Sequence, residues 1–186
     1  MIPKPEIERR NALVQAAIAE IGAAGTLDVT VAKIARRAGM SPALAHHYFG
    51  SKDRMLIASM RHVLALFGAE VRAALAGVTT PEARIEAIVR TSFAPSNFRQ
   101  DVVAAWLNFY VHAQRDEGTR RLLRLYQRRL RSNLLVGLRG RCADPGALAE
   151  GIAAMIDGLY VRQALSGADG DRAVELVMDY VNRGTR

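Results

Sequence analysis

Two groups of side chains in this sequence have types and spacings that could do chemistry. One is His46, His47, Tyr48 and Lys52, preceded by Ser41, Pro42 and Ala43. Hydroxyl, imidazole and ammonium groups meet phosphate oxygens, while small residues allow close approach to base edges and thymine methyl groups. The second group is Trp106, Phe109 and Tyr110 at i, i+3 and i+4, which puts three rings on one helix face. Phe98 and Tyr126 are candidate walls beside them. Ring faces attract cations, by roughly 0.5–2 kcal/mol per good contact, and the same rings can equally be ordinary aromatic core.

The elements that must position the first group are legible between residues 30 and 52, TVAKIARRAGMSPALAHHYFGSK. Thr30 caps a short helix with an apolar stripe of Val31, Ile34, Ala35 and Ala38. Gly39 stops it at low cost in a left-handed conformation, and Met40 fills the corner. Ser41 caps a second helix with Pro42 at its first position, where a missing N–H loses nothing. Ala43 and Ala45 keep this helix slim, and Leu44 and Phe49 point inward. A slim helix with polar tips and cations around it suits the major groove of DNA. Thr30, Ser41, His46, Tyr48 and Lys52 are then the candidate phosphate contacts and helix-start positions, with Pro42, Ala43 and His47 nearest the bases.

The pattern I-A-x-x-A-G-x-S followed by H-Y-F-x-x-K resembles the helix-turn-helix of the TetR family of bacterial repressors. Many members carry a phosphate-touching tyrosine where this chain has His46. The run His47-Tyr48-Phe49, with RRLRSNLL at 128–135 and IDGLYVRQALSG at 156–167, resembles the BetI-type branch, which represses betaine synthesis from choline. The resemblance implies an all-α fold of about nine helices. It divides them into a DNA-binding domain over 1–52 and a ligand-binding and dimerisation domain over 53–186. It also implies a homodimer on operator DNA and choline as the small cationic inducer. Choline would sit against Trp106, Phe109, Tyr110, Phe98 and Tyr126, with Asp101, Asp116 or Asp157 as counter-charge. A repressor of another pathway, sensing a different apolar or cationic compound, is the alternative.

Composition bounds these readings. The chain has 186 residues, half of them apolar, which is enough to bury a core. Its net charge of +8 points to an anionic partner. Cations outnumber acids over the first 55 residues, and 115–141 holds nine arginines against Asp116 and Glu117. The second run reads most simply as a solvated helix face. No apolar run is long enough for a membrane span, and the N-terminus lacks the apolar core of a signal peptide. The lone Cys142 makes no internal disulfide and suits a reducing cytoplasm. No cofactor motif, metal-ligand spacing or catalytic arrangement appears, so an enzyme or a helical carrier is the weaker reading.

The rest of the chain reads as helices. Glu6–Ala24 carries Ile7, Leu13, Val14, Ala17, Ile18 and Ile21 inward, with Lys4, Arg9 and Arg10 placed to touch phosphate. Lys52–Ala76 is a rod of about 35 Å whose wide apolar face includes Leu66 and Phe67. Helices are then expected over Glu82–Ala94, Phe98–Gln114, Arg120–Arg141, Ala147–Leu165 and Asp171–Arg183. On the last two, Leu148, Ile152, Met155, Ile156 and Leu159, and Val174, Val177, Met178 and Val181, form stripes that could meet a second copy or pack inside one chain. Gly151, Ala154 and Gly158 would allow close approach there.

Overall fold

A computed structural model describes residues 4–167 and 170–185. Its regular structure is entirely helical, as the resemblance implies. In order come α1 (Lys4–Ala24), α2 (Val31–Arg37), α3 (Pro42–Phe49), α4 (Lys52–Ala74) and α5 (Pro81–Ser92). A 3-10 turn (Pro95–Phe98) precedes α6 (Gln100–His112), α7 (Glu117–Leu138), α8 (Pro145–Ser166) and α9 (Gly170–Gly184). Side-chain caps set several starts. Thr80 accepts from the Ala83 amide at 3.2 Å and Asp144 from the Ala147 amide at 2.9 Å, each followed by a proline in the first turn.

Packing divides the chain into two compact units. The first takes the residues through Ala65 together with Arg99–Arg120, and the second takes Leu66–Phe98 with the chain from Arg121 onward. Residue 52 marks the start of α4, which gives residues to both units.

In the first unit α1 packs on α2 and runs along α6. Leu13, Ala17 and Ile21 are buried in that contact layer of α1, whereas Ile7, one of the expected inward residues, is 46% exposed. Ile7 lies in the first turns, ahead of the buried run that begins at Leu13. At Gly22 a side chain would place a carbon 2.6 Å from the Asp101 Cα, so α1 and α6 approach at backbone distance.

In the second unit α9 packs against both α8 and α5. Here the expected dimer stripes are corrected in detail. Leu148, Ile152 and Ile156 of α8 and Val174, Val177 and Val181 of α9 are buried within the chain itself. Gly151 is likewise spent inside the chain, because Tyr180 lies across it. The outward residues are Ala154 and Gly158 with Leu165, Leu176 and Tyr180. Leu66, expected on the apolar face of α4, is exposed. Phe98 falls in the 3-10 turn ahead of α6, not in the helix itself.

Candidate nucleic-acid interface and ring cluster

The 30–52 segment folds as its local signals dictate. The Thr30 hydroxyl accepts from the Lys33 amide at 3.2 Å, and the Ser41 hydroxyl accepts from the Leu44 amide at 3.2 Å. Gly39 has φ +66°, and the Met40 N–H donates to the Ala35 carbonyl at 2.9 Å, closing α2. Ile34, Ala35, Ala45 and Phe49 are buried and lock α2 to α3. That locking turns the other side of α3 outward. Ser41, Pro42, Ala43, His46 and His47 are all exposed, as is Thr30 at the start of α2. Tyr48 is half-buried, with its ring edge-on to His47 at 5.5 Å.

Three cations expected at phosphate have partners within the protein. Arg10 donates to the Tyr48 carbonyl and sits 4.7 Å above the Phe49 ring. It therefore clamps α1 to the end of α3, a hydrogen bond to a charged group plus a cation–π contact. Arg9 stays exposed, with a guanidinium nitrogen 3.5 Å from the Tyr48 hydroxyl. Lys52 has Asp28 at 3.6 Å, an exposed and weak pair that phosphate can replace. A second tie, Arg37 to Glu20, joins α2 to α1. These contacts link residues 17 to 39 positions apart, so no local pattern announces them.

The ring cluster forms as its spacing predicts, but in a different setting. Trp106 stacks on Tyr110 at 5.9 Å and meets Phe109 edge-on at 6.0 Å. Trp106 and Phe109 are 6% and 1% exposed, and Tyr110 is half-buried. All three belong to the first unit, while Phe98 and Tyr126 belong to the second. There each has another ring as neighbour: Phe98 lies 4.9 Å from Tyr160, and Tyr126 meets Phe67 edge-on at 6.1 Å. The Tyr160 hydroxyl donates to the Asn97 carbonyl at 2.9 Å, fixing the turn that carries Phe98.

The three acids weighed as counter-charges have structural partners. Asp101 pairs with Arg99 at 2.7 Å and accepts from the Val102 amide at 3.0 Å. Asp116 accepts from Thr119, whose hydroxyl and backbone N–H hold its carboxyl below the usual range. Asp157 accepts from the Tyr126 hydroxyl at 3.1 Å. Among the described residues no group of His, Cys, Asp and Glu could hold a metal ion, and no helix is long and apolar enough to cross a membrane.

Comparison with known proteins agrees with this geometry. Residues 13–58 match the family of bacterial regulatory proteins, tetR family, and residues 81–186 match BetI-type transcriptional repressor, C-terminal. The chain is 53% identical to the HTH-type transcriptional regulator BetI of Brucella anthropi, over 97% of this chain and 96% of that one. It is also 53% identical to the regulator of the same name from Rhizobium meliloti, over 100% of this chain and 94% of that one. A TetR transcription regulator from Haloarcula marismortui has the same fold, with a TM-score of 0.88 at 20% identity over 96% of this chain and 99% of that one. So does a transcriptional regulator from Saccharomonospora viridis solved in complex with choline, at 0.80 and 23% over 94% and 96%. The matched relatives are regulators of transcription and not enzymes. The chain belongs to the TetR family of bacterial transcriptional repressors, with a C-terminal region of the BetI type.

Proposed function

We propose that this repressor binds operator DNA as a cytoplasmic homodimer, silences genes that convert choline to glycine betaine, and is relieved by choline. The observation that carries the DNA part is the outward face of α3, with Ser41, Pro42, Ala43, His46 and His47 exposed over a locked core. Ser41, His46, Tyr48 and Lys52, with Thr30 at the start of α2, are the groups we assign to positioning on phosphate. Pro42, Ala43 and His47 are those we assign to the base edges. One such unit reads a half-site, so two copies are needed for a palindrome. The face we assign to the second copy is the outward side of α8 and α9, carrying Ala154, Gly158, Leu165, Leu176 and Tyr180.

Choline is supported by the names of the relatives and by the choline complex of a protein with the same fold. Its trimethylammonium group is matched by ring faces. Tyr110 over Trp106 is one candidate; Phe98 and Tyr126 are the others, and Phe109, fully enclosed, supports Trp106. Relief of repression is a coupling free energy. Choline must weaken operator binding by the same factor by which operator weakens choline binding.

The test is calorimetric titration of choline and of ethanolamine, which lacks the methyl groups, into the protein with and without operator. Saturable heat with choline only, reduced by operator, is the expected result. Tyr110→Leu and Tyr126→Leu then show which unit holds the cation. Equal silence with both compounds would sink the choline reading and leave the family assignment standing.

A further inference from the structure

On either side of the outward face of α8 and α9, charge is sorted by sign. A cleft of about 600 Å³ between α5 and α9 is lined by Glu86, Asp171, Glu175 and Asp179, against Arg90. A groove of about 470 Å³ between α7 and α8 is lined by Arg124, Arg128 and Arg131, against Glu150 and Asp157. The acidic cleft lies where α9 meets α5 and the basic groove where α8 meets α7, so one borders the α9 edge of the α8–α9 face and the other its α8 edge. Ala154 belongs both to the basic groove and to that outward face, so the two surfaces are continuous.

The two charge rows also share a repeat. Asp171, Glu175 and Asp179 stand at i, i+4 and i+8, a span of about 12 Å at helical rise, and Arg124, Arg128 and Arg131 at i, i+4 and i+7 span about 10.5 Å. Ion pairs within the chain involve some of these groups: Glu175 with Arg172 at 3.0 Å, Glu86 with Arg90 at 2.7 Å, and Arg131 with Glu150 at 3.4 Å. All are solvent-exposed pairs, which hold their members weakly.

Symmetry decides what these flanks can meet. In a two-fold dimer the same patch serves both copies. An axis running along the helices brings the acidic flank of each copy opposite the basic flank of the other. An axis across the helices would set acid on acid and arginine on arginine, which repels. We propose that a second copy of this chain docks with the acidic row of its α9 against the α7–α8 arginine groove. Two equivalent charge locks then flank the apolar seam. This rests on the homodimer reading and adds the groups that select its axis and its register. The same locks discriminate against subunits of other regulators that share the fold but not the charge order.

The experiment uses two full-length variants, Glu175→Lys with Asp179→Lys, and Arg124→Glu with Arg128→Glu. Each is followed by analytical ultracentrifugation at low ionic strength, with circular dichroism to verify helix content. Alone, each pairs like charges twice and should dimerise roughly 100-fold more weakly than the parent chain. Mixed one to one, both contacts regain opposite signs, and the dimer should return. A misfolded variant cannot produce that return. The neutral pair Glu175→Gln with Asp179→Asn should flatten the salt dependence of dimerisation. Variants that each dimerise like the parent, weak variants whose mixture stays monomeric, or an unchanged salt dependence in the neutral pair would overturn the locks. A parent chain monomeric at every concentration would instead remove the homodimer reading beneath them.

Discussion

The helix-turn-helix and the ring cluster of α6 lie in the same compact unit, yet different forces build them. The first is set by neighbours in sequence: a threonine, a glycine, a serine and a proline fix two helices within 23 residues. The second is set by tertiary packing, with Trp106 and Phe109 closed off in the unit. A surface made by local caps can hold its shape and still change its outward residues, which is what a reader of DNA sequence needs. A ring set made by burial holds its shape only while the core holds.

Five substitutions sharpen that contrast, in order of expected effect. Trp106→Ala removes a large buried ring and should cost about 3–5 kcal/mol of stability, measured by chemical denaturation. Unchanged stability would mean that the ring borders open space and not the core. Arg10→Ala removes both the bond to the Tyr48 carbonyl and the contact on Phe49, for a loss of about 2 kcal/mol. Its operator affinity should fall along with its melting temperature, whereas a loss of affinity alone would return Arg10 to phosphate contact. Ser41→Ala removes one helix cap and should cost about 1 kcal/mol, with a further loss in DNA binding that is independent of sequence. Lys52→Ala should leave stability nearly unchanged and reduce the salt slope of DNA binding by about 1. Asp28→Asn, which frees Lys52 of its acid, should strengthen binding to any duplex, read by fluorescence anisotropy across salt concentrations.

The contrast also explains what could be read from the sequence. The starts of α2, α3 and α5 are legible because a capping side chain and a turn residue are neighbours in the chain, whereas α8, expected from Ala147, opens at Pro145 under an Asp144 cap. The helical spacing of Trp106, Phe109 and Tyr110 was legible for the same reason. Which packing unit received them was not, because that depends on α6 lying along α1, some 80 residues away in sequence. The stripes on α8 and α9 show the same limit. Periodicity marks an apolar face, but a buried face looks identical whether its partner is the next helix of the same chain or a second copy. Only the exposed positions, Leu165, Leu176 and Tyr180, separate the two. Arg10 was legible as a cation near the DNA reader, and its use as a clamp required the fold.

The chain has a single tryptophan, and it stacks on Tyr110 inside the unit that carries the helix-turn-helix. Its emission is therefore an optical reporter of that unit. A compound that changes the spectrum has altered, directly or by relay, the body that reads DNA. A compound that binds in the second unit without reaching it leaves the spectrum dark to the event. Pairing that emission with calorimetry in one titration separates occupancy from transmission, with no label added to the protein.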